Sequence, residues 1–504
     1  MRSKRRLLLA SVFVAANCGL VYELLAGALS SYLLGDSITQ FSLVIGVFLS
    51  AMGLGAWLSK FIERRLLRAF ILLEAAVGVV GGFSAVALYA AFTYADVYTP
   101  YLFLVGGTVG VLVGAEIPLL IRILKDDGPL KATISDVFAV DYAGALAASL
   151  LFPILLVPKL GLMMTGFLFG ALNVAVAGVV VWAFRDRLGR VQELYAWCLA
   201  AFLLLVGGAV SSQQLVGFFE AERYEDEIIY SKRTPYQQIT LTRWRNDVRL
   251  FLNGQLQLST IDEHRYHESL VHPAMSVHGN VQRVLILGGG DGMALREVYK
   301  YASVRDAVVV DLDPEMTRLF AENSLLRDLN GGSINDSRTT IVNEDAMNYL
   351  RKTQDFFDVI IMDLPDPNDI AVGKLYTKDF FHFASRRLRS NGVLVSQATS
   401  PFYAREAFWC IVNTMRASVG TRSVSAYHAY VPSFGEWGFS IATKLPIDPS
   451  ALSVSVPTRF LNEGTVRGLF AFPKDLGPIA TSLNRLDDQV LVRLYEKGWK
   501  RFNF

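Results

Sequence analysis

Five aspartates, Asp291, Asp311, Asp345, Asp363 and Asp366, stand at spacings that suit one small ligand. Asp291 lies inside "VLILGGGDGMALREV" (284–298), where glycines separate an apolar run from a helix-like stretch. Such a loop usually cradles a phosphate through its amides and the positive end of the helix that follows. An acid within it would repel phosphate. Asp291 therefore suits a cation, the amine or sulfonium of an adenosylmethionine-type compound, unless it only caps the helix. Gly288 and Gly290 supply the bare backbone that a close-lying ligand needs. Asp311, twenty residues past Asp291 at the end of the next apolar run, has the spacing of an acid that holds a ribose diol. Asp345 in "NEDAMNYL" reads either as the acceptor of an adenine amine or as the cap of a helix over 346–352. In "DVIIMDLPDP", Asp363 ends a buried strand and Asp366 follows a proline, where turn chemistry also accounts for it. Two carboxylates there suit an amine substrate, one binding an ammonium and the other orienting or deprotonating the attacking nitrogen. A primary amine titrates near about 10 and must lose a proton before it attacks; a partly desolvated carboxylate can accept that proton.

The elements that must position these acids alternate. Strands fit at 282–287, 307–311, 339–342, 357–362 and 393–397, and helices at 292–301, 314–323, 345–352, 377–389 and 404–417. That order implies an α/β, doubly wound, Rossmann-like domain of methyltransferase type, with ligands at the carboxyl ends of its strands. Upstream, "ITLTRWRNDVRLFLNGQLQLS" carries two turn signals, Asn246-Asp247 and Asn253-Gly254, and reads as a small antiparallel β subdomain over 224–262. The catalytic domain is expected over 263–445, and 446–504 is an extension to which the sequence assigns no role. His264 and His267 stand at i,i+3, but neither an HExxH motif nor a cysteine ligand accompanies them, so no metal is expected.

Residues 1–217 differ in kind. Apolar stretches at 7–34, 37–59, 66–94, 98–124, 137–158, 161–184 and 193–217 each reach the roughly 20 residues that cross a bilayer core. About seven transmembrane helices are expected, in a multi-pass protein of the cell (inner) membrane with lipid as a partner. Arg2, Lys4, Arg5 and Arg6, then Lys60, Arg64, Arg65 and Arg68, flank alternate loops, whereas Asp36, Asp96 and Lys159 occupy the others. The positive-inside rule puts the N-terminus in the cytoplasm. Glu23, Glu74, Glu116 and Asp141 fall within spans, where acids face the bundle interior as functional groups or pair with a neighbour; Arg68 and Arg122 are the nearest candidates for Glu74 and Glu116. Gly106, Gly110 and Gly114 repeat at a spacing that permits close helix contact. The three cysteines show no paired spacing, and a net charge of +2 indicates no nucleic-acid partner.

From about Tyr230 to Lys444 the chain resembles the spermidine synthases, or polyamine aminopropyltransferases, and the whole resembles their membrane-bound branch. The match rests on "YQ" (236–237), "DEHRYHE" (262–268), "LGGGDG" (287–292), Asp311, "ED" (344–345), "DLPDP" (363–367) and "LYT" (375–377). The resemblance implies aminopropyl transfer from decarboxylated S-adenosylmethionine, a co-substrate rather than a bound cofactor, to putrescine. It assigns Asp311 to the ribose, Asp345 to adenine, and Gln237, Asp291 and His267 to the donor's remaining parts. Asp363 becomes the catalytic base, with Tyr266 and Asp366 binding the amine. Phe434 stands where the family carries a substrate-contacting Tyr, and Leu364-Pro365 where it usually has Ser or Thr. Rival readings are a methyltransferase on the same fold, and a membrane sensor or transporter whose synthase-like domain only binds polyamine. A second copy of the chain stays open as a partner.

Overall fold

The computed structural model describes residues 2–34, 37–95, 97–125, 129–488 and 490–502; the loop acids Asp36 and Asp96 lie outside them. Two units are distinguished, Met1–Glu225 and Asp226–Phe504.

In the first unit the apolar runs form α1 (Arg2–Leu34), α2 (Ser37–Leu58), α3 (Leu66–Tyr94), α4 (Thr99–Leu124), α5 (Leu130–Leu151), α6 (Val157–Ala183), α7 (Val191–Val210) and α8 (Ser212–Arg223). Among the described residues six helices, not seven, are long and apolar enough to cross a membrane. The count differs because Leu130–Ala183, 54 residues, is taken as one stretch although it holds two of the expected spans. At about 1.5 Å per residue that stretch far exceeds a core about 30 Å thick. Gly161, at φ 76°, breaks it at the border between the two expected spans.

The glycine repeat of α4 works at two of its three positions. A Cβ on Gly114 would lie 2.1 Å from the Met52 carbonyl oxygen of α2, and one on Gly110 2.9 Å from that of Phe48, whereas Gly106 faces open space. The expected arginine pairings do not form. Arg122 donates to the carbonyls of Ser59 (2.9 Å) and Ile62 (2.7 Å), and Arg68 pairs with Glu193 at 3.7 Å. Glu74 is fully buried, and neither carboxylate oxygen has a hydrogen-bond partner among the described residues.

The second unit opens with an antiparallel meander: β1 (Glu227–Arg233), β2 (Gln238–Trp244), β3 (Asp247–Leu252) and β4 (Gln255–Ser259). Asn253 and Gly254, at φ 51° and 81°, make the expected turn. The other turn falls on Arg245-Asn246, one residue early, because Asp247 pairs with Trp244 in the ladder and is buried under donors from Ser259 and Arg249.

Then follow α9 (Glu263–His278), β5 (Arg283–Gly288), α10 (Met293–Val298), β6 (Asp306–Asp311), α11 (Pro314–Glu322), α12 (Ser324–Leu329), β7 (Thr339–Asn343), α13 (Ala346–Lys352), β8 (Phe357–Asp363), α14 (Ile370–Gly373), α15 (Lys378–Arg386), β9 (Leu388–Gln397), α16 (Arg405–Ser418), β10 (Ser423–Val431), β11 (Gly435–Thr443), α17 (Glu463–Gly468) and α18 (Val490–Lys500). The sheet order is β10-β11-β9-β8-β5-β6-β7, with β5 to β9 parallel and the β10–β11 hairpin antiparallel. Residues 284–287 and 359–362 are buried throughout, as in parallel strands covered by helices on both faces. The chain reverses direction across the sheet between β5 and β8, and ligands bind at that crevice in doubly wound folds. The C-terminal residues add α17 and α18 to this same unit, α18 packing on α16.

Candidate active site

Register brings the glycine loop to Asp363: Gly288 lies opposite it across β5 and β8. A Cβ on Gly288, which adopts φ 82°, would sit 2.0 Å from the Asp363 carbonyl oxygen, so only glycine fits. The Gly290 amide donates to Asp311 Oδ2 at 3.1 Å, and a Cβ there would lie 2.5 Å from that oxygen. The bare backbone thus first packs two of the protein's own acids into the crevice.

His267, Asp291 and Asp363 each bring one polar atom within 4.8 Å of the others. Asp291 Oδ1 also accepts from the Met293 amide at 2.8 Å, which ties it to the first turn of α10, whose N-cap is the next residue, Gly292. Tyr266 donates its hydroxyl to Asp363 Oδ1 at 2.8 Å, while Asp363 Oδ2 is sealed from solvent with no hydrogen-bond partner among the described residues. Behind the cluster, His267 Nδ1 lies 2.8 Å from Glu263 Oε2, and Arg296 grips both Glu263 oxygens at 3.0 and 2.9 Å. His264, the other half of the i,i+3 pair, takes no part in this group.

The charges follow from these contacts. Burial works against a charged His267, but the Glu263 hydrogen bond and charge, aided by Asp291 and Asp363, push its pKa up to about 9. Burial pushes Asp363 up to about 6; Asp291 adds to this, and His267 and the Tyr266 hydroxyl oppose it. Burial likewise lifts Asp311 to about 6, against the amides of Asp313 and Gly290. Two carboxylates and one imidazolium carry a single net negative charge, which matches an ammonium better than a divalent ion.

The remaining expected residues are placed as follows. Asp345 caps α13 through the Asn348 amide at 3.0 Å and pairs with Lys374 at 2.7 Å, which outweighs burial and holds its pKa below the usual carboxylate range. Gln237 donates to Asp313 Oδ2 at 3.0 Å, beside Asp311 in sequence, so its recorded bond lies at the β6 end. Asp366 is buried and accepts from Thr399 at 3.2 Å, Gln397 at 3.5 Å and the Tyr495 hydroxyl. Burial pushes it up to about 6. Phe434 meets the Tyr266 ring edge-on with centroids 6.2 Å apart. Ser433 beside it is tied to Asp262 through its amide (2.6 Å) and hydroxyl (2.9 Å).

Sequence reasoning missed Glu263, Arg296, Lys374, Gln397, Thr399 and Tyr495. Glu263 stands four residues before His267 in a helix, a readable i,i+4 signal; the others come from separate elements and carried none.

A family model described as the spermine/spermidine synthase domain matches residues 263–448. The chain is 47% identical to the polyamine aminopropyltransferase of Leptospira interrogans, covering 97% of this chain and 98% of the relative. It is 45% identical to polyamine aminopropyltransferase 2 of Ralstonia nicotianae, covering 99% of each. A solved spermidine synthase in complex with the transition-state analogue AdoDATO is 30% identical, with a TM-score of 0.46 over 50% of this chain and 88% of that one. Near-full-length identity at this level, together with the matched domain, makes this chain a member of the polyamine aminopropyltransferase family.

Proposed function

We propose that the protein transfers the aminopropyl group of decarboxylated S-adenosylmethionine to putrescine, giving spermidine and methylthioadenosine. The observation that carries this is Asp363: a carboxylate with one oxygen fixed by Tyr266 and the other buried and unengaged, beside an acid in the glycine loop.

Asp311 holds the donor's ribose hydroxyls, and Asp345, sharing its charge with Lys374, accepts the adenine amine. Gln237 and His267 line the donor side. Asp291 faces the donor's ammonium, which decarboxylation leaves without a neighbouring carboxylate. Asp366 holds the distal ammonium of the diamine, and Tyr266 and Asp363 orient the reacting nitrogen. Asp363 takes one proton from that nitrogen. The freed lone pair attacks the carbon next to the sulfonium; the C–N bond forms as the C–S bond breaks, and its electron pair stays on sulfur as neutral methylthioadenosine. The product nitrogen keeps the positive charge, and Asp363 releases its proton to solvent. His267 keeps Asp363 ionised: burial and Asp291 both favour the protonated acid, and the imidazolium opposes them.

The six apolar helices support a membrane-embedded first unit with lipid around it, and the loop charges support a cytoplasmic N-terminus. Purified protein should release methylthioadenosine from decarboxylated S-adenosylmethionine and putrescine. A preference for ordinary S-adenosylmethionine as donor would refute this, because its carboxylate would face Asp291.

A further inference from the structure

The matched synthase domain ends at residue 448, yet a residue from well beyond it reaches the amine end of the site. α18 carries Tyr495, 9% exposed, whose hydroxyl hydrogen-bonds Asp366. The helix is held firmly. A Cβ on Gly498 would lie 2.7 Å from Ala404 Cα, so helix and chain meet backbone to backbone at the start of α16. Trp499 stacks on Tyr403 at 4.8 Å, and Lys497 pairs with Glu406 at 3.1 Å. The segment leading in is pinned by Asn484, which donates to the Gly373 carbonyl at 2.9 Å and receives Leu491.

Asp366 needs such a donor. Its other partners are the Thr399 hydroxyl at 3.2 Å and the Gln397 amide at a long 3.5 Å, both from the end of β9. A phenol hydroxyl with its proton committed to the carboxylate keeps its oxygen lone pairs free to accept from an ammonium. Its ring is buried beside Asp366 and fills space there.

We propose that Tyr495 is a specificity-determining residue that completes the distal-ammonium subsite and limits the length of the amine the enzyme accepts. The inference rests on Asp366 binding that ammonium. It gives the C-terminal extension a place in the site that the family domain does not supply.

The test uses the full-length protein in detergent with decarboxylated S-adenosylmethionine and, separately, diamines of three to five carbons and a triamine. Loss of one hydrogen bond in a charged subsite predicts that Tyr495→Phe raises the KM for putrescine about tenfold, with kcat and the donor KM little changed. Tyr495→Ala should lose putrescine turnover and gain on the five-carbon diamine or the triamine relative to wild type. An amine KM within about twofold of wild type in Tyr495→Phe overturns the proposal. So does an equal loss of kcat on every amine, which is the signature of a merely structural residue. Asp366→Asn separates the two layers. If it raises the amine KM while Tyr495→Phe does not, Tyr495 alone is misassigned; if it leaves that KM unchanged, the reading of Asp366 fails with it.

Discussion

Asp363→Asn removes the proposed base and nearly preserves its shape. A primary amine titrates near about 10, so passing its proton to a carboxyl at about 6 is uphill by about four powers of ten, about 5 kcal/mol. An aspartate at the ordinary 3.8 would face about six powers of ten, about 8 kcal/mol. The net rise of Asp363, from burial and Asp291 against His267 and Tyr266, therefore favours the proton transfer by at most about 3 kcal/mol, its value before the ammonium arrives. Asparagine offers no acceptor, and the enzyme must then wait for neutral amine, about one molecule in a thousand at neutral pH. General-base loss typically lowers rates by about 10² to 10⁴, and kcat/KM for putrescine should fall within that range while donor affinity holds. The assay is methylthioadenosine release with log kcat/KM followed from about pH 5 to 9. Wild type should show an acid limb near pH 6, rising as Asp363 loses its proton. Asp363→Asn should instead climb steadily above about pH 7 as free amine accumulates, where wild type levels off; any limb it keeps near pH 6 belongs to Asp366 and Asp311. A variant retaining more than about a tenth of wild-type kcat/KM, or a wild-type profile flat across pH 6, would refute the assignment.

Removing the imidazolium by His267→Gln should move the acid limb upwards, since burial and Asp291 then act on Asp363 unopposed; the same pH series reads it. His267 is held at about 9 against an ordinary 6.5, so its stabilisation is full below 6.5 and lost as pH rises through 9. Thermal midpoints of wild type should therefore fall over that window by more than those of His267→Gln. Arg296→Met leaves Glu263 buried without its fork and should destabilise by about 3 kcal/mol, measured as a lowered thermal midpoint together with reduced turnover. Gly290→Ala drives a Cβ onto Asp311 Oδ2, 2.5 Å away, and should raise the donor KM about tenfold, a loss of about 1.4 kcal/mol, while sparing the amine KM. Reporters fused at the N-terminus and in the 61–65 loop should both read as cytoplasmic.

The strand ends were legible because a parallel strand buried on both faces is written as an unbroken apolar run, and a charged residue closing that run stands out. Asp311 and Asp363 were found in this way, and each is the last residue of its strand. Of the two readings of Asp345, the cap is seen: one oxygen takes the Asn348 amide, and the other meets Lys374. Lys374 on Asp345 and Tyr495 on Asp366 were invisible, since such contacts depend on how separate helices dock. The β10–β11 hairpin extends the sheet from its antiparallel edge and lies outside the alternating strand–helix rhythm that revealed the rest. In the stretch from Leu130 to Ala183 hydropathy placed the division well: Gly161, at φ 76°, is non-helical at the border between the two apolar runs.

A site built for two cations contains a cation of its own, and the charge accounting explains why. Buried acids close to one another raise each other's pKa until one of them keeps its proton, and a protonated Asp363 is no base. The Arg296–Glu263–His267 chain contributes plus one, minus one and plus one. With the carboxylates of Asp291 and Asp363 beside it, the cluster is left with one more negative group than positive. That is enough to attract an ammonium, yet it leaves the base poised near 6 in the empty crevice. An arriving ammonium lowers that value further, which favours binding and opposes proton transfer. A base starting at 3.8 would bind the ammonium more strongly than it could deprotonate it. Burial and His267 therefore pull Asp363, the proposed base, in opposite directions, and it rests near 6 between them.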